Sequence, residues 1–214
     1  MEGRVAAFRI STWDTPFWVN PNRSGARYNK PGSGPTQYLC LHPLGPWAEY
    51  LRREDLRTKL QIEVVRQRMW VVLLTLRPPN EVFELTYETA AKIGLSPDDL
   101  VADDWSRCQE VAERLRQDAD FPKIWSVPSA ALPGTQNVVI FGPRVAIPYQ
   151  GQIIDPSLDM PCSVVAESTP PPEVLLSLTR FRESPHAEFE NWKRDEPFLF
   201  AEPAFPAASP GSHE

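Results

Sequence analysis

The sequence predicts an α+β fold with a bent, mostly antiparallel, split sheet. Strand-like apolar runs and helical segments mix without the regular rhythm of parallel βαβ units. The 24 prolines among 214 residues interrupt helices and central strands, so the chain is expected to be rich in loops. With 42% apolar and 23% charged residues the composition is that of an ordinary globular protein, and the length suffices for one large domain.

The apolar pattern assigns each element in turn. Strands are predicted at residues 5–10, 37–41, 69–76, 124–127 and 137–141, with two later strands at 161–165 and 174–181. Helices are predicted at 47–55, where Pro46 suits the first turn, at 85–93, and from Asp103 to about Leu115. The loop at 11–37 contains four aromatic and three cationic residues, which favours a functional loop over a disordered one.

Charge divides the chain into a body at 1–166 and a C-terminal extension at 167–214. The body carries 18 basic and 19 acidic residues, whereas the extension carries 4 basic and 9 acidic residues. This distribution argues against nucleic acid as a partner, because phosphate backbones favour basic surfaces. We expect the aromatic residues of the extension to pack on the body; the alternative is self-association into a homodimer, since aromatic residues are favoured at interfaces.

Cysteine usage and hydropathy indicate the compartment. Three widely spaced cysteines, Cys40, Cys108 and Cys162, do not make a disulfide framework. No apolar run approaches the length of a membrane span, and the N-terminus lacks the apolar core of a secretory signal. A cytoplasmic protein with no membrane partner is therefore expected. The three histidines are too scattered for a typical zinc site, so no metal is predicted.

Five polar residues stand where apolar ones would be expected. They are Arg9, Arg27, Tyr38, Glu49 and Ser106. Each has a simpler explanation: a sheet-edge arginine, a turn, the helix dipole for Glu49 in a first helical turn, or a serine that starts a helix. Together they suit a phosphate-bearing ligand that develops positive charge elsewhere, because arginine pairs with phosphate and a carboxylate stabilises a cation. We expect them to converge in one cleft.

Successive sequence blocks, in the same order, resemble those of the RES domain over roughly residues 5–145. The blocks are Phe8-Arg9, Gly25-Ala26-Arg27-Tyr28-Asn29-Lys30-Pro31-Gly32, Gln37-Tyr38-Leu39-Cys40, Trp47-Ala48-Glu49, Asp103-Asp104-Trp105-Ser106-Arg107-Cys108-Gln109, Val127-Pro128-Ser129-Ala130 and Asn137-Val138-Val139. The resemblance implies a fold similar to that of the ADP-ribosyltransferases. It also implies NAD⁺ as a substrate rather than a cofactor.

The resemblance assigns roles residue by residue. It implies catalytic roles for Arg27, Glu49 and Ser106, and binding roles for the other matched residues, namely Arg9, Tyr28, Tyr38 and Ser129. Ser129 is the second candidate for the family's serine. We expect Arg27 to bind phosphate through both terminal nitrogens of its guanidinium. If Arg27 and Glu49 both line a solvated cleft, neither should be needed for folding.

The reaction implied by the resemblance is cleavage of the nicotinamide–ribose bond by inorganic phosphate or water. Many RES proteins are toxins paired with an Xre-like antitoxin, which is the protein partner implied here. Two alternatives stay open: a protein ADP-ribosyltransferase that uses the same site, and a non-catalytic module that binds a nucleotide or a partner.

Overall fold

The computed structural model describes residues 3–11, 16–17, 25–76, 82–141, 146–147, 152–153 and 162–204. These ranges contain nine strands and five α-helices. The strands in these ranges are β1 (Gly3–Ser11), β2 (Thr36–Cys40), β3 (Gln67–Leu76), β4 (Val82–Glu84), β5 (Ile124–Pro128), β6 (Gln136–Phe141), β7 (Ala146–Ile147), β8 (Gln152–Ile153) and β9 (Cys162–Thr169). The α-helices are α1 (Gly45–Glu54), α2 (Lys59–Glu63), α3 (Ser106–Gln117), α4 (Leu175–Leu178) and α5 (Ala187–Lys193), with 3₁₀ turns at Ala90–Ile93 and Pro97–Leu100.

One seven-stranded sheet organises the fold, in the order β4-β5-β6-β2-β1-β3-β9, and β7 pairs with β8 separately. Within the described strands, β4 and β5 form the one parallel pair, and the other neighbours run antiparallel. The predicted α+β class with a mostly antiparallel sheet is therefore confirmed. None of the helices in the described ranges is long and apolar enough to cross a membrane.

Two predicted elements differ from the structure. The strand predicted at 174–181 is wrong, because this stretch holds the short helix α4 and a turn. The helix predicted at 85–93 shrinks to the 3₁₀ turn Ala90–Ile93, preceded by the unpredicted strand β4. The boundary expected at 166/167 falls inside β9. Of the loop predicted at 11–37, residues 12–15 and 18–24, which include Trp13, Trp18 and Arg23, lie outside the described residues.

Aromatic side chains attach the C-terminal segment, defined here as residues 170–204, to the rest of the protein. Phe181 is buried in a cluster with the apolar face of α1. Phe189 and Trp192 pack against a second cluster below α3, where both rings lie beside Tyr87. Phe198 contacts the turn at Gly134. The segment therefore shares the core of the protein.

Gly134 offers a test of this attachment. Its φ is +81°, and an added Cβ would lie 2.8 Å from the Phe198 ring. We expect Gly134→Ala to cost about 1–3 kcal/mol, from left-handed strain plus the clash, and to accelerate tryptic cleavage after Arg194. Gly94→Ala is the matched control, because Gly94 has the same φ of +81° but its added Cβ would meet nothing nearer than an Arg114 nitrogen at 3.6 Å. Equal cleavage rates in the two variants would contradict the prediction.

Candidate active site

A cavity of about 810 Å³ opens between β1, β2, α1 and the turn that precedes β2. Its volume is in the range of small-molecule sites. Five of the predicted residues line it, namely Arg9, Arg27, Tyr28, Tyr38 and Glu49. Among the described lining residues, Glu49 is the one carboxylate, and six are cationic: Arg9, Arg27, Lys30, Arg52, Arg53 and Arg182. A cavity of this composition favours an anionic ligand that also carries a cationic centre.

Glu49 is held from the floor of the cavity by two side chains of neighbouring elements. Asn137 Nδ2 donates to Glu49 Oε1 at 2.9 Å, and Ser129 Oγ donates to the same oxygen at 3.3 Å. In the described part of the chain the second oxygen, Oε2, receives no hydrogen bond. Glu49 is the fifth residue of α1, beyond the first helical turn, so the helix dipole does not explain its position.

Arg27 lies on a tight turn closed by reciprocal backbone hydrogen bonds between Ala26 and Asn29, of 2.9 and 3.1 Å. The residue is 8% exposed, and its guanidinium donates from Nη1 to Asp99 O at 2.9 Å and from Nη2 to Ala102 O at 2.8 Å. Both terminal nitrogens, which were expected to bind phosphate, thus bind carbonyls of the loop before α3. The expectation that folding does not need Arg27 assumed a solvated guanidinium. The side chain instead binds two carbonyls, and its loss would remove the charged donor from both.

The two tyrosines differ in what they offer to a ligand. Tyr38 Oη donates to Asn29 Oδ1 at 2.7 Å and accepts from Tyr28 N at 3.1 Å, which fixes its ring against the cavity. Tyr28 is 2% exposed and packs edge-on against Trp125, so it serves mainly as core. Burial raises the pKa of both phenols far above neutrality, and both therefore stay protonated.

Two arginines that line the cavity belong to different elements. Arg9, on β1, donates to Gln37 Oε1, and Gln37 Nε2 donates to Phe17 O at 2.6 Å. Arg52, one helical turn beyond Glu49 on α1, forms an ion pair with Asp103. Burial lowers the pKa of Arg52 to about 10, which leaves it cationic at neutral pH.

Ser106 does not join the other candidates. It begins α3 and lies in an adjoining pocket, which shares Trp105 and Arg182 with the cavity. Its Oγ and its backbone N–H both donate to Asp104 Oδ1, at 2.7 and 2.9 Å. The predicted convergence of all five polar residues is therefore wrong for Ser106, whose bonds are those of a serine at a helix start. Ser129 is fully buried beneath the cavity wall, in direct contact with Glu49.

Three further residues of the site were missed from the sequence. Asn137 belongs to one of the sequence blocks that resemble the RES domain, and it directly precedes the apolar run 138–141 of β6. Arg52 follows Glu49 at helical spacing, which places both on one face. Arg182 lies over the Trp105 ring, 5.9 Å from its centre, and no local pattern connects that residue with the cavity.

In the described ranges no group of histidine, cysteine, aspartate or glutamate side chains could hold a metal ion.

The comparisons with known proteins concern the fold. No protein-family model and no curated protein matches the chain. Among solved structures, the fold is similar to a chain in the crystal structure of the MbcT–MbcA toxin–antitoxin complex of M. tuberculosis, with a TM-score of 0.56. The match covers 83% of this chain and 90% of that chain at 21% sequence identity, so the likeness shows that the two chains share a fold.

Proposed function

We propose that this protein is an NAD⁺-consuming enzyme of the RES type that breaks the bond between ribose C1′ and nicotinamide. The observation that supports the proposal is the cavity itself, whose described lining holds one carboxylate, Glu49, and six cationic residues. NAD⁺ combines an anionic diphosphate with a ribosyl centre that becomes cationic when nicotinamide leaves. The cationic residues of the cavity match the diphosphate, and Glu49 matches the ribosyl centre.

In the proposed reaction the nicotinamide nitrogen departs with the electron pair of its bond to C1′. The ribosyl ring then resembles an oxocarbenium ion, as in glycoside cleavage. Glu49 stabilises that charge, and the Tyr38 ring packs against nicotinamide. The cationic side chains other than Arg27, whose guanidinium binds two carbonyls, hold the diphosphate. An oxygen of phosphate or water then bonds to C1′; when water is the acceptor, its O–H bond breaks and the proton passes to solvent. Ser129 is fully buried, so in this proposal it acts on Glu49 and not on the substrate.

An antitoxin partner forms the second part of the proposal. The fold is similar to that of a chain from a toxin–antitoxin complex. We therefore propose that this protein is the toxin of such a pair, and that its antitoxin is an Xre-like protein. A partner that covers the cavity would block the entry of NAD⁺ and so inhibit the enzyme.

Product analysis tests the proposal. We expect the purified protein to release free nicotinamide from NAD⁺, detected by chromatography. If phosphate is the acceptor, adding inorganic phosphate should raise the rate and convert the second product from ADP-ribose to ADP-ribose phosphorylated at the anomeric carbon. NAD⁺ labelled in the adenylate part distinguishes the alternative, because a protein ADP-ribosyltransferase would leave label on protein. If no nicotinamide is released while NAD⁺ still binds, the protein is a non-catalytic binding module.

A further inference from the structure

The C-terminal segment is bonded to the loop that carries Ser129, which spans residues 129–135 and is called here the serine loop. Three hydrogen bonds join them. The backbone N–H of Arg180 donates to Ala131 O at 2.8 Å, and the N–H of Gly134 donates to Glu188 Oε2 at 2.9 Å. The third bond joins His186 Nε2 to Ser129 O at 2.9 Å. The segment thus contacts the serine loop at its start, middle and end.

The chemistry of His186 is fixed by its surroundings. The side chain is 3% exposed and caps α5, because the N–H of Phe189 donates to its Nδ1 at 3.2 Å. Since Nδ1 accepts a hydrogen bond, the ring proton lies on Nε2, which donates to Ser129 O. Burial lowers the pKa of His186 to about 4, so the ring stays neutral and keeps this tautomer near neutral pH.

Ser129 connects the serine loop to Glu49 through a side-chain hydrogen bond. Its Oγ accepts from the N–H of Leu132 at 3.1 Å and from that of Ala131 at 3.4 Å, so its proton points to Glu49 Oε1. The residue is fully buried, and its carbonyl would lose its partner without His186. A chain of bonds therefore leads from α5 through the serine loop to the carboxylate in the cavity.

We propose that His186 is a positioning residue of the site, which holds the serine loop, and through Ser129 the Glu49 carboxylate, in its working orientation. The C-terminal segment is then a required part of the site, although His186 itself does not contact the reacting atoms. What Glu49 does once positioned rests on the proposed function.

Two substitutions separate the two bonds that His186 makes. Asparagine places an oxygen near Nδ1 and can still cap α5, but it has no group that reaches Ser129 O. Glutamine places an amide N–H near Nε2 and can still donate to Ser129 O, but it does not cap the helix. We expect His186→Asn to lower kcat by about 10–100-fold with KM changed little, because a small misplacement of a reacting group has effects of this size. We expect His186→Gln to stay within about threefold of the wild-type kcat while lowering Tm, because it loses the cap.

The pattern of kcat decides the proposal. If His186→Asn retains wild-type kcat, or if both variants lose activity in proportion to their loss of stability, the positioning role is overturned. Ser129→Ala extends the test, because it breaks the last bond of the chain and leaves the first. Combining it with His186→Asn should add little further loss of kcat if the two act as one unit, and fully additive losses would contradict the proposal.

A second readout does not depend on NAD⁺ turnover. The ¹³C carboxyl resonance of Glu49, assigned by its absence in Glu49→Gln, should move in His186→Asn and stay near its wild-type position in His186→Gln. If the wild-type protein cleaves no NAD⁺ and this pattern is still seen, the proposed function fails and the positioning role stands. An unmoved resonance in folded His186→Asn overturns the positioning role whatever the turnover.

Discussion

Glu49→Gln is expected to lower the turnover of NAD⁺ by about 10²–10³-fold, the usual effect of removing one electrostatic stabiliser of a transition state. The change keeps an oxygen that can accept from Asn137 and Ser129, so the shape of the cavity is retained. It removes the negative charge, and the positive charge on ribose develops only in the transition state. The loss should therefore fall on kcat while NAD⁺ affinity changes little.

Nicotinamide release and NAD⁺ binding, measured on the same preparation, check this expectation. Glu54→Gln is the matched control, because Glu54 lies on the same helix but is exposed and paired with Arg53. It should retain full turnover. Full turnover in Glu49→Gln would remove Glu49 from the mechanism.

The strands were predictable because their apolar runs are long. The strands predicted at 5–10 and 69–76 correspond to β1 and β3, which pair along nearly their whole length. The error at 174–181 arose because a short apolar run does not distinguish strand from helix. Leu175 is buried there, yet its neighbours turn back through bonds such as Thr179 N to Leu175 O at 2.9 Å. Tertiary packing, which the run itself does not encode, selected the helical turn.

The site was predictable where a polar side chain stood in apolar sequence, as at Arg9, Tyr38 and Glu49. The contacts of the site were not predictable where a side chain binds the backbone carbonyl of a distant residue. His186 binds the carbonyl of Ser129, and Arg27 binds the carbonyls of Asp99 and Ala102. Every residue carries a backbone carbonyl, so no residue type in the sequence indicates such a contact. Ser106 and Ser129 differ in the same way, because the fold alone decides which serine meets Glu49.

Arg27 also lies at the centre of a structural junction. Its turn is bonded to α3 through Gln109 Nε2, which donates to Ala26 O at 2.9 Å, and its guanidinium bonds the loop at Asp99 and Ala102. Two controls separate structure from charge at this position. Arg53→Ala removes another cation of the cavity wall whose side chain is 46% exposed, and it should leave stability within about 0.5 kcal/mol. Arg27→Lys keeps the charge but presents one compact ammonium in place of two spaced prongs.

Arg27→Ala is expected to lower the free energy of unfolding by about 2–4 kcal/mol, because it leaves two partly buried carbonyls without their charged donor. For a chain of this size that loss corresponds to a fall in Tm of about 5–15 °C. NAD⁺ affinity should fall as well, by about one to two orders of magnitude, since the turn that forms one wall of the cavity loses its anchor to the loop. Thermal unfolding and NAD⁺ titration of the three variants decide between the two roles of the guanidinium. A weaker affinity in Arg27→Ala at unchanged Tm would show that the side chain serves the ligand directly, and that its bonds to the two carbonyls contribute little to the fold. A lowered Tm that Arg27→Lys restores only in part is the result expected when both prongs are needed.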